Sequence, residues 1–310
     1  LGHGAAARRG RGRAAFAELD DEMAAVAAQI DGSRDWRATM EELNRDHPAT
    51  PEEMRQAYED ATEDARRFMK EHQLVSVPDG EQCLVEPSPP FQRPVLAVAS
   101  YSSPPAFKAG LTGHFFVPYP PDGASDADVH ARLATNSYAS IPTIAVHEAY
   151  PGHHWHLTWI QACGARPLRK VIFTSYFVEG WALYAERLMR ENGYFADPRH
   201  DLCHLDARIF RAARIIVDTS LHIGDMTFDE AVDFMVKNAS LSEPTARAEV
   251  GRYCSWPTQA ASYLTGSLEI ERIRADYLAA GKGDVRTFND TIAGSGGLPI
   301  ALAERAVMEA

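Results

Sequence analysis

The chain has 310 residues, 45% apolar and 24% charged, the balance of an ordinary globular protein able to bury one large core or two packed ones. Its 31 Lys and Arg stand against 43 Asp and Glu, a net charge of −12 that argues against a nucleic-acid partner. No uncharged apolar run reaches the ~20 residues of a membrane span, and Cys83, Cys163, Cys203 and Cys254 form neither a C-x-x-C nor any disulfide framework. The first residue is Leu and no signal-peptide pattern follows. The expectation is part of a longer protein, with the cytoplasm favoured as its compartment.

Residues 1–13 are Gly, Ala and Arg without a hydrophobic period and are expected to be a flexible lead-in, with Arg8, Arg9, Arg11 and Arg13 free to touch an anionic partner. From Ala14, Phe16, Leu19, Met23, Val26 and Ile30 recur at helical spacing. Thr50-Pro51-Glu52-Glu53 starts a second helix, with a Thr cap, Pro at the first position and Glu three after the cap. Prolines punctuate residues 79–123, where Val95–Ala99 and His114–Val117 predict a small β-sheet. Helical patterns return after Ala124, including a capping box at Thr227–Glu230. The fold class is therefore mainly α with a small sheet, and residues 14–310 form the main domain.

Four histidines fall within His147-Glu148-Ala149-Tyr150-Pro151-Gly152-His153-His154-Trp155-His156. In the zinc-protease motif H-E-x-x-H, two His one turn apart hold the metal and the Glu is the general base. Here the position four after His147 is Pro151. In a regular helix His153 would lie about 240° round and ~9 Å along from His147, and His154 ~10.5 Å along. Zn–N bonds of about 2.0–2.1 Å cannot bridge either gap. Pro151 has no N–H to continue the helix, and Gly152 tolerates unusual dihedrals. A kink absorbing two residues would bring His153 to the ligand position; without one, the stretch is only a His-rich helix end.

Glu179 lies in Phe177-Val178-Glu179-Gly180-Trp181, inside an apolar helix pattern from Ser175 to Asn192 closed by Gly193. A carboxylate among these side chains needs a partner or a metal. Two His and one Glu with an open fourth position are a catalytic zinc set. Glu186 is ~10.5 Å further along the helix, too far for the same metal, and suits a carboxylate that holds a His or Arg. Arg211, Arg214, Asp218 and His222 share one helical stripe, read as an internal salt-bridge network or, for His222 or Arg214, a cleft wall.

Three stretches, His147–His154, Glu179–Glu186 and Arg252–Gly266, resemble domain-of-unknown-function family 885, bacterial proteins related to the gluzincin metallopeptidases. The likeness runs from about Ala14 to Val307 and covers the C-terminal part of a longer family architecture. It implies a zincin-like helical metallopeptidase. Gly152-His153 resembles the G-H of H-E-F-G-H in thimet-oligopeptidase-like enzymes after a two-residue insertion, and Phe177-Val178-Glu179 their F-V-E. The resemblance implies one zinc held by His147, His153 and Glu179, with His154 the rival second ligand and Glu148 the base. Tyr263-Leu264-Thr265-Gly266 resembles the Y-x-x-G helix of carboxypeptidase Taq, implying Tyr263 as the oxyanion donor. Arg252 and Tyr253 are candidates to bind a peptide, with Arg252–Glu249 pairing as the alternative. His114 is a candidate on a sheet edge that pairs with an extended substrate. The expected function is zinc-dependent peptide hydrolysis. Its alternatives are an amide hydrolase of a small metabolite and a non-catalytic module with a structural zinc.

Overall fold

A computed structural model describes residues 4–94, 98–239 and 241–309. It is mainly helical, with a single three-stranded sheet among the described residues. Helix α1 (Ala5–Ile30) lies along α8 (Pro198–His222), and α2 (Trp36–Leu43) packs across both. The expected lead-in is thus corrected: residues 5–13 are helical. The local pattern is poor, but Gly12 brings α1 so close to α8 that a Cβ would stand 2.8 Å from Ile215 Cγ2. Arg11 pairs with Glu269 at 2.5 Å, Arg9 with Asp225, and Arg8 donates to Tyr176 Oη. Tertiary packing overrides propensity here.

Helix α3 (Pro51–Glu71) begins as its sequence predicts, with Thr50 Oγ1 accepting from the Glu53 amide. The sheet follows, with β1 (Glu81–Pro87), β2 (Ser100–Ser102) and β3 (Leu111–Val117) in the order β1-β3-β2. β1 runs parallel to β3 and β2 antiparallel to it. Of the strand expected at Val95–Ala99, residues 95–97 lie outside the described residues, and Val98 and Ala99 precede β2. His114 stands on the central strand, opposite Leu84 and Ser102, and not on an edge as expected. The central position follows from β3 pairing on both sides, which a single strand's sequence does not reveal.

After α4 (Asp126–Ala134), helices α5 (Ile141–Glu148), α6 (His153–Ala162) and α7 (Ser175–Glu191) form the centre of the main core with α3 and the sheet. Gly193, at φ 89°, follows the last turn of α7 as the left-handed terminating residue. Then come α9 (Phe228–Asn238), α10 (Glu243–Ser255), α11 (Ser262–Ala279), α12 (Val285–Ala293) and α13 (Ile300–Glu309). The capping box at Thr227 and Glu230 is present at α9.

The contact that places the site is α7 on α11. A Cβ on Gly180 would stand 2.6 Å from the Gly266 carbonyl carbon, and one on Gly266 1.9 Å from the Tyr176 carbonyl oxygen. Both are backbone collisions, so no side-chain adjustment relieves them. We expect Gly266→Ala to lower the unfolding free energy by about 1–3 kcal/mol or more in urea denaturation. Gly251→Ala, in α10 with open space around its Cα, should instead stabilise by roughly 0.5–1 kcal/mol.

Candidate metal centre and its cleft

Helix α5 stops at Glu148, and α6 starts at His153. Between them the ladder takes up two extra residues: the Trp155 amide, which in a regular helix would bond residue 151, reaches back to the Ala149 carbonyl at 3.1 Å. Pro151 supplies no donor, and the Tyr150–Pro151 peptide is cis. Gly152 lies against the end of α5, where a Cβ would stand 2.0 Å from the His147 carbonyl oxygen. The Pro151 carbonyl is bonded by Trp181 Nε1 at 2.9 Å. The helix deformation that the His147–His153 spacing requires is therefore built in.

Its result is a cluster. His147 Nε2 lies 3.7 Å and His153 Nε2 3.5 Å from Glu179 Oε2, and the three ligand atoms fall within 4.8 Å of one another. These distances are long for hydrogen bonds. They match the ~3.4 Å between neighbouring donors of a tetrahedral site with bonds near 2.0–2.1 Å. His147, His153 and Glu179 are the residues that can hold a metal here. His147 Nδ1 bonds Glu186 Oε1 at 2.7 Å, which leaves Nε2 with its lone pair toward the cluster. The other Glu186 oxygen lies 3.5 Å from His204 Nδ1. Burial opposes charge on His147, but the carboxylates of Glu179 and Glu186 outweigh it and raise its pKa. Burial works against ionised Glu179 too, and the two histidines override it and lower its pKa. The pocket favours a cation.

His154 points elsewhere. It is fully buried, with Nε2 2.7 Å from Glu81 Oε2 and Nδ1 2.9 Å from Tyr101 Oη. Both nitrogens are used, so the structure does not bring the rival ligand to the cluster. Glu81 also accepts from Tyr150 Oη at 2.5 Å and from Arg66 at 2.7 Å. Gly113 makes room for Tyr101, whose oxygen lies 1.9 Å from where a Cβ would be. Sequence reasoning missed Glu81 and Tyr101, and their only signal is position, one starting β1 and one within the edge strand β2.

The cluster opens into a cleft of about 740 Å³, which also receives Glu148, Tyr101, Arg211, Arg214 and Tyr263. Glu148 is buried, and burial raises its carboxyl pKa against the pull of His147 and His153. Tyr263, one turn before Gly266 on α11, accepts from Gln259 Nε2 at 3.2 Å, so its own O–H remains available to donate. Burial, with Glu179 nearby, raises the phenol's pKa and keeps it neutral.

The remaining candidates lie outside. Arg252 bonds Glu249 and Gln259, the latter a neighbour of Tyr263, and does not itself line the cleft. Tyr253 is fully buried and donates to Glu249 at 2.8 Å. Tyr253 faces the packed side of α10, whereas Arg252 is about a third exposed, and neither lines the cleft. His114 bonds Glu86 at 2.8 Å, and His222 bonds the Asp218 carbonyl at 2.7 Å, each away from the cleft. The edge strand that does line it is β2, through Ser100 and Tyr101. From the α8 stripe, Arg211 and Arg214 enter the cleft, while Asp218 accepts from the Thr258 and Ala261 amides ahead of α11.

A family model described as "Bacterial protein of unknown function (DUF885)" matches residues 6–307. The chain belongs to this family. Two solved structures are similar over its whole length. One, a crystal structure of a candidate lipoprotein from Colwellia psychrerythraea, has a TM-score of 0.87 and 25% identity, covering 100% of this chain and 52% of that one. The other, a candidate lipoprotein of unknown function from Shewanella oneidensis, has a TM-score of 0.87 and 21% identity, covering 99% and 57%. The DUF885 chain thus spans about half the length of these relatives. No curated protein matches it. No described helix is long and apolar enough to cross a membrane.

The buried Glu81 network gives a pH test. Burial opposes ionisation of Glu81, but bonds from His154, Tyr150 and Arg66 lower its pKa to about 2. A depressed folded pKa contributes stability above the unfolded value of about 4.3, lost as pH falls toward 2. Wild type should exceed Glu81→Gln by on the order of 3 kcal/mol at neutral pH. In urea denaturation at stepped pH, the difference should close between about pH 4.3 and 2.

Proposed function

We propose that this chain is a zinc-dependent hydrolase of peptide bonds, with a zincin-like arrangement of His147, His153 and Glu179 around one zinc ion. The observation that carries the proposal is the approach of both His Nε2 atoms to one Glu179 oxygen at 3.5–3.7 Å, in a cleft that also holds a buried carboxylate, Glu148. When bound, zinc would supply Lewis acidity, polarising a carbonyl and lowering the pKa of water to about 7.

The chain's own residues do the rest. Glu148, with its pKa raised by burial, takes a proton from the attacking water and passes it to the leaving amine. Tyr263 donates its O–H to the oxygen on which negative charge develops. Glu186 orients His147 from behind, and Gln259 orients Tyr263. A purely structural zinc has no use for a cleft or for Glu148 beside it, which weighs against the non-catalytic alternative. The two similar structures are described as lipoproteins, so a membrane-attached setting replaces the cytoplasm as the proposed location.

Zinc analysis should find one ion per chain, near zero in His147→Ala and His153→Ala, and full occupancy in His154→Ala if that variant folds. Zinc retained in His153→Ala and lost in a folded His154→Ala would overturn the ligand assignment. A peptide-library digest read by mass spectrometry should show cleavage by wild type. Glu148→Gln should keep its zinc and lose at least about a hundredfold in rate. A zinc-loaded chain that cuts no peptide would point instead to a small-metabolite amide. Tyr263→Phe should lower kcat by about 10²–10³ with little change in KM.

A further inference from the structure

Arg211 projects from α8 into the same cleft as the metal cluster, and its charge has no ion-pair partner among the described residues. Its one hydrogen bond goes to the Ala207 carbonyl on its own helix at 2.9 Å, and its buried Nε bonds nothing. Glu148, Glu179, Glu186 and Asp206 act on it only through space, and none of the four is ion-paired with it within 4 Å. Arg214, one turn on, also leaves its Nε unbonded but differs in having an ion-pair partner. It is neutralised by Glu249 at 3.0 Å and packs its guanidinium over Phe210 at 4.1 Å and Tyr263 at 5.0 Å.

A guanidinium cannot shed its proton, so an unpaired one in a cleft wall is costly unless a ligand completes it. Its fork of donors matches a carboxylate, which it can hold through two parallel bonds. Phe173, Val178, Leu157 and Phe210 give the cleft apolar wall, and its size suits a small ligand or chain end. We propose that Arg211 is the receptor for the free C-terminal carboxylate of a peptide, so that the chain trims peptides from their C-terminal end, with an apolar residue at that end. This rests on the peptidase reading for its chemistry but not for its binding test.

Metal-free protein, prepared with a chelator, removes the competing cation. Calorimetric titration with acetyl-Ala-Ala-Phe should show binding at least about tenfold tighter than with the same peptide carrying a C-terminal amide. Arg211→Met should abolish that preference, and Arg211→Lys should keep part of it, with circular dichroism verifying that both variants fold. Equal binding of acid and amide, no binding of either, or an unchanged preference in folded Arg211→Met would overturn the assignment. A peptide amide carrying a side-chain carboxylate, acetyl-Ala-Ala-Glu-amide, should bind no better than the Phe amide; if it matches the free acid, the terminal-carboxylate assignment falls. With zinc restored, the acid should be cut faster than its amide. Cleavage of both at one rate would sink the carboxylate subsite and spare the peptidase. Acid-selective binding without any cleavage would do the reverse.

Discussion

The site depends on one backbone hydrogen bond, from the Trp155 amide to the Ala149 carbonyl. It closes a helix break that swallows two residues, and without it His147 and His153 would face away from each other. The break needs Pro151, which has no donor to carry the helix on, and Gly152, which alone fits against the His147 carbonyl. Helix α7 completes it. Glu179, Gly180 and Trp181 are consecutive, so their side-chain directions differ by about 100° per residue. The first turns to the two histidines, the second to the backbone of α11, and the third to the Pro151 carbonyl. One helical turn therefore presents a carboxylate, seats α7 on α11 and pins the break.

The same geometry separates two neighbouring histidines. His153 and His154 open α6 in different directions, and each meets its own carboxylate, Glu179 and Glu81 respectively. Glu81 belongs to β1 and collects His154, Tyr150 and Arg66, so the sheet is tied to the break by buried charge-assisted bonds. Tyr101 adds the edge strand β2 through the other His154 nitrogen. Saturating His154 holds the loop and leaves His153 beside the cleft. On the far side, Asp218 holds the Thr258 and Ala261 amides ahead of α11, and Gln259 between them reaches Tyr263.

Local chemistry was legible in the sequence. The caps at Thr50 and Thr227 are satisfied by residues three positions away, and α7 ends where Gly193 ends it. The break could be anticipated because proline's missing donor is a property of one residue. What depended on distant chain was not legible. Residues 5–13 look unfit for a helix until Ile215, Asp225 and Glu269 are placed beside them. His114 reads as an edge residue until β1 and β2 pair on both sides of β3. Arg252 and Tyr253 share a stretch with Tyr263, yet they stand on α10 and only Tyr263, on α11, lines the cleft. Glu81 is an ordinary acidic residue until its three partners converge.

On the proposed reading, the charges of the cleft suit one kind of substrate. Glu148, Glu179 and Glu186 surround the His147 end with negative charge, suited to a cation. Arg211 sits in the same cleft with its positive charge unpaired, and Arg214 beside it is already compensated. A ligand that meets a metal at one end and Arg211 at the other must offer a polarisable carbonyl and a carboxylate a short distance apart. The last peptide bond of a chain has both. Tyr263 lines the cleft too and touches the Arg214 guanidinium face, so the group that would stabilise developing charge is braced by the cation next to the proposed receptor. On the proposed reading, a metal and Arg211 would be two cationic anchors that serve binding and orientation together, which is how a positioned chain end becomes a reactive one.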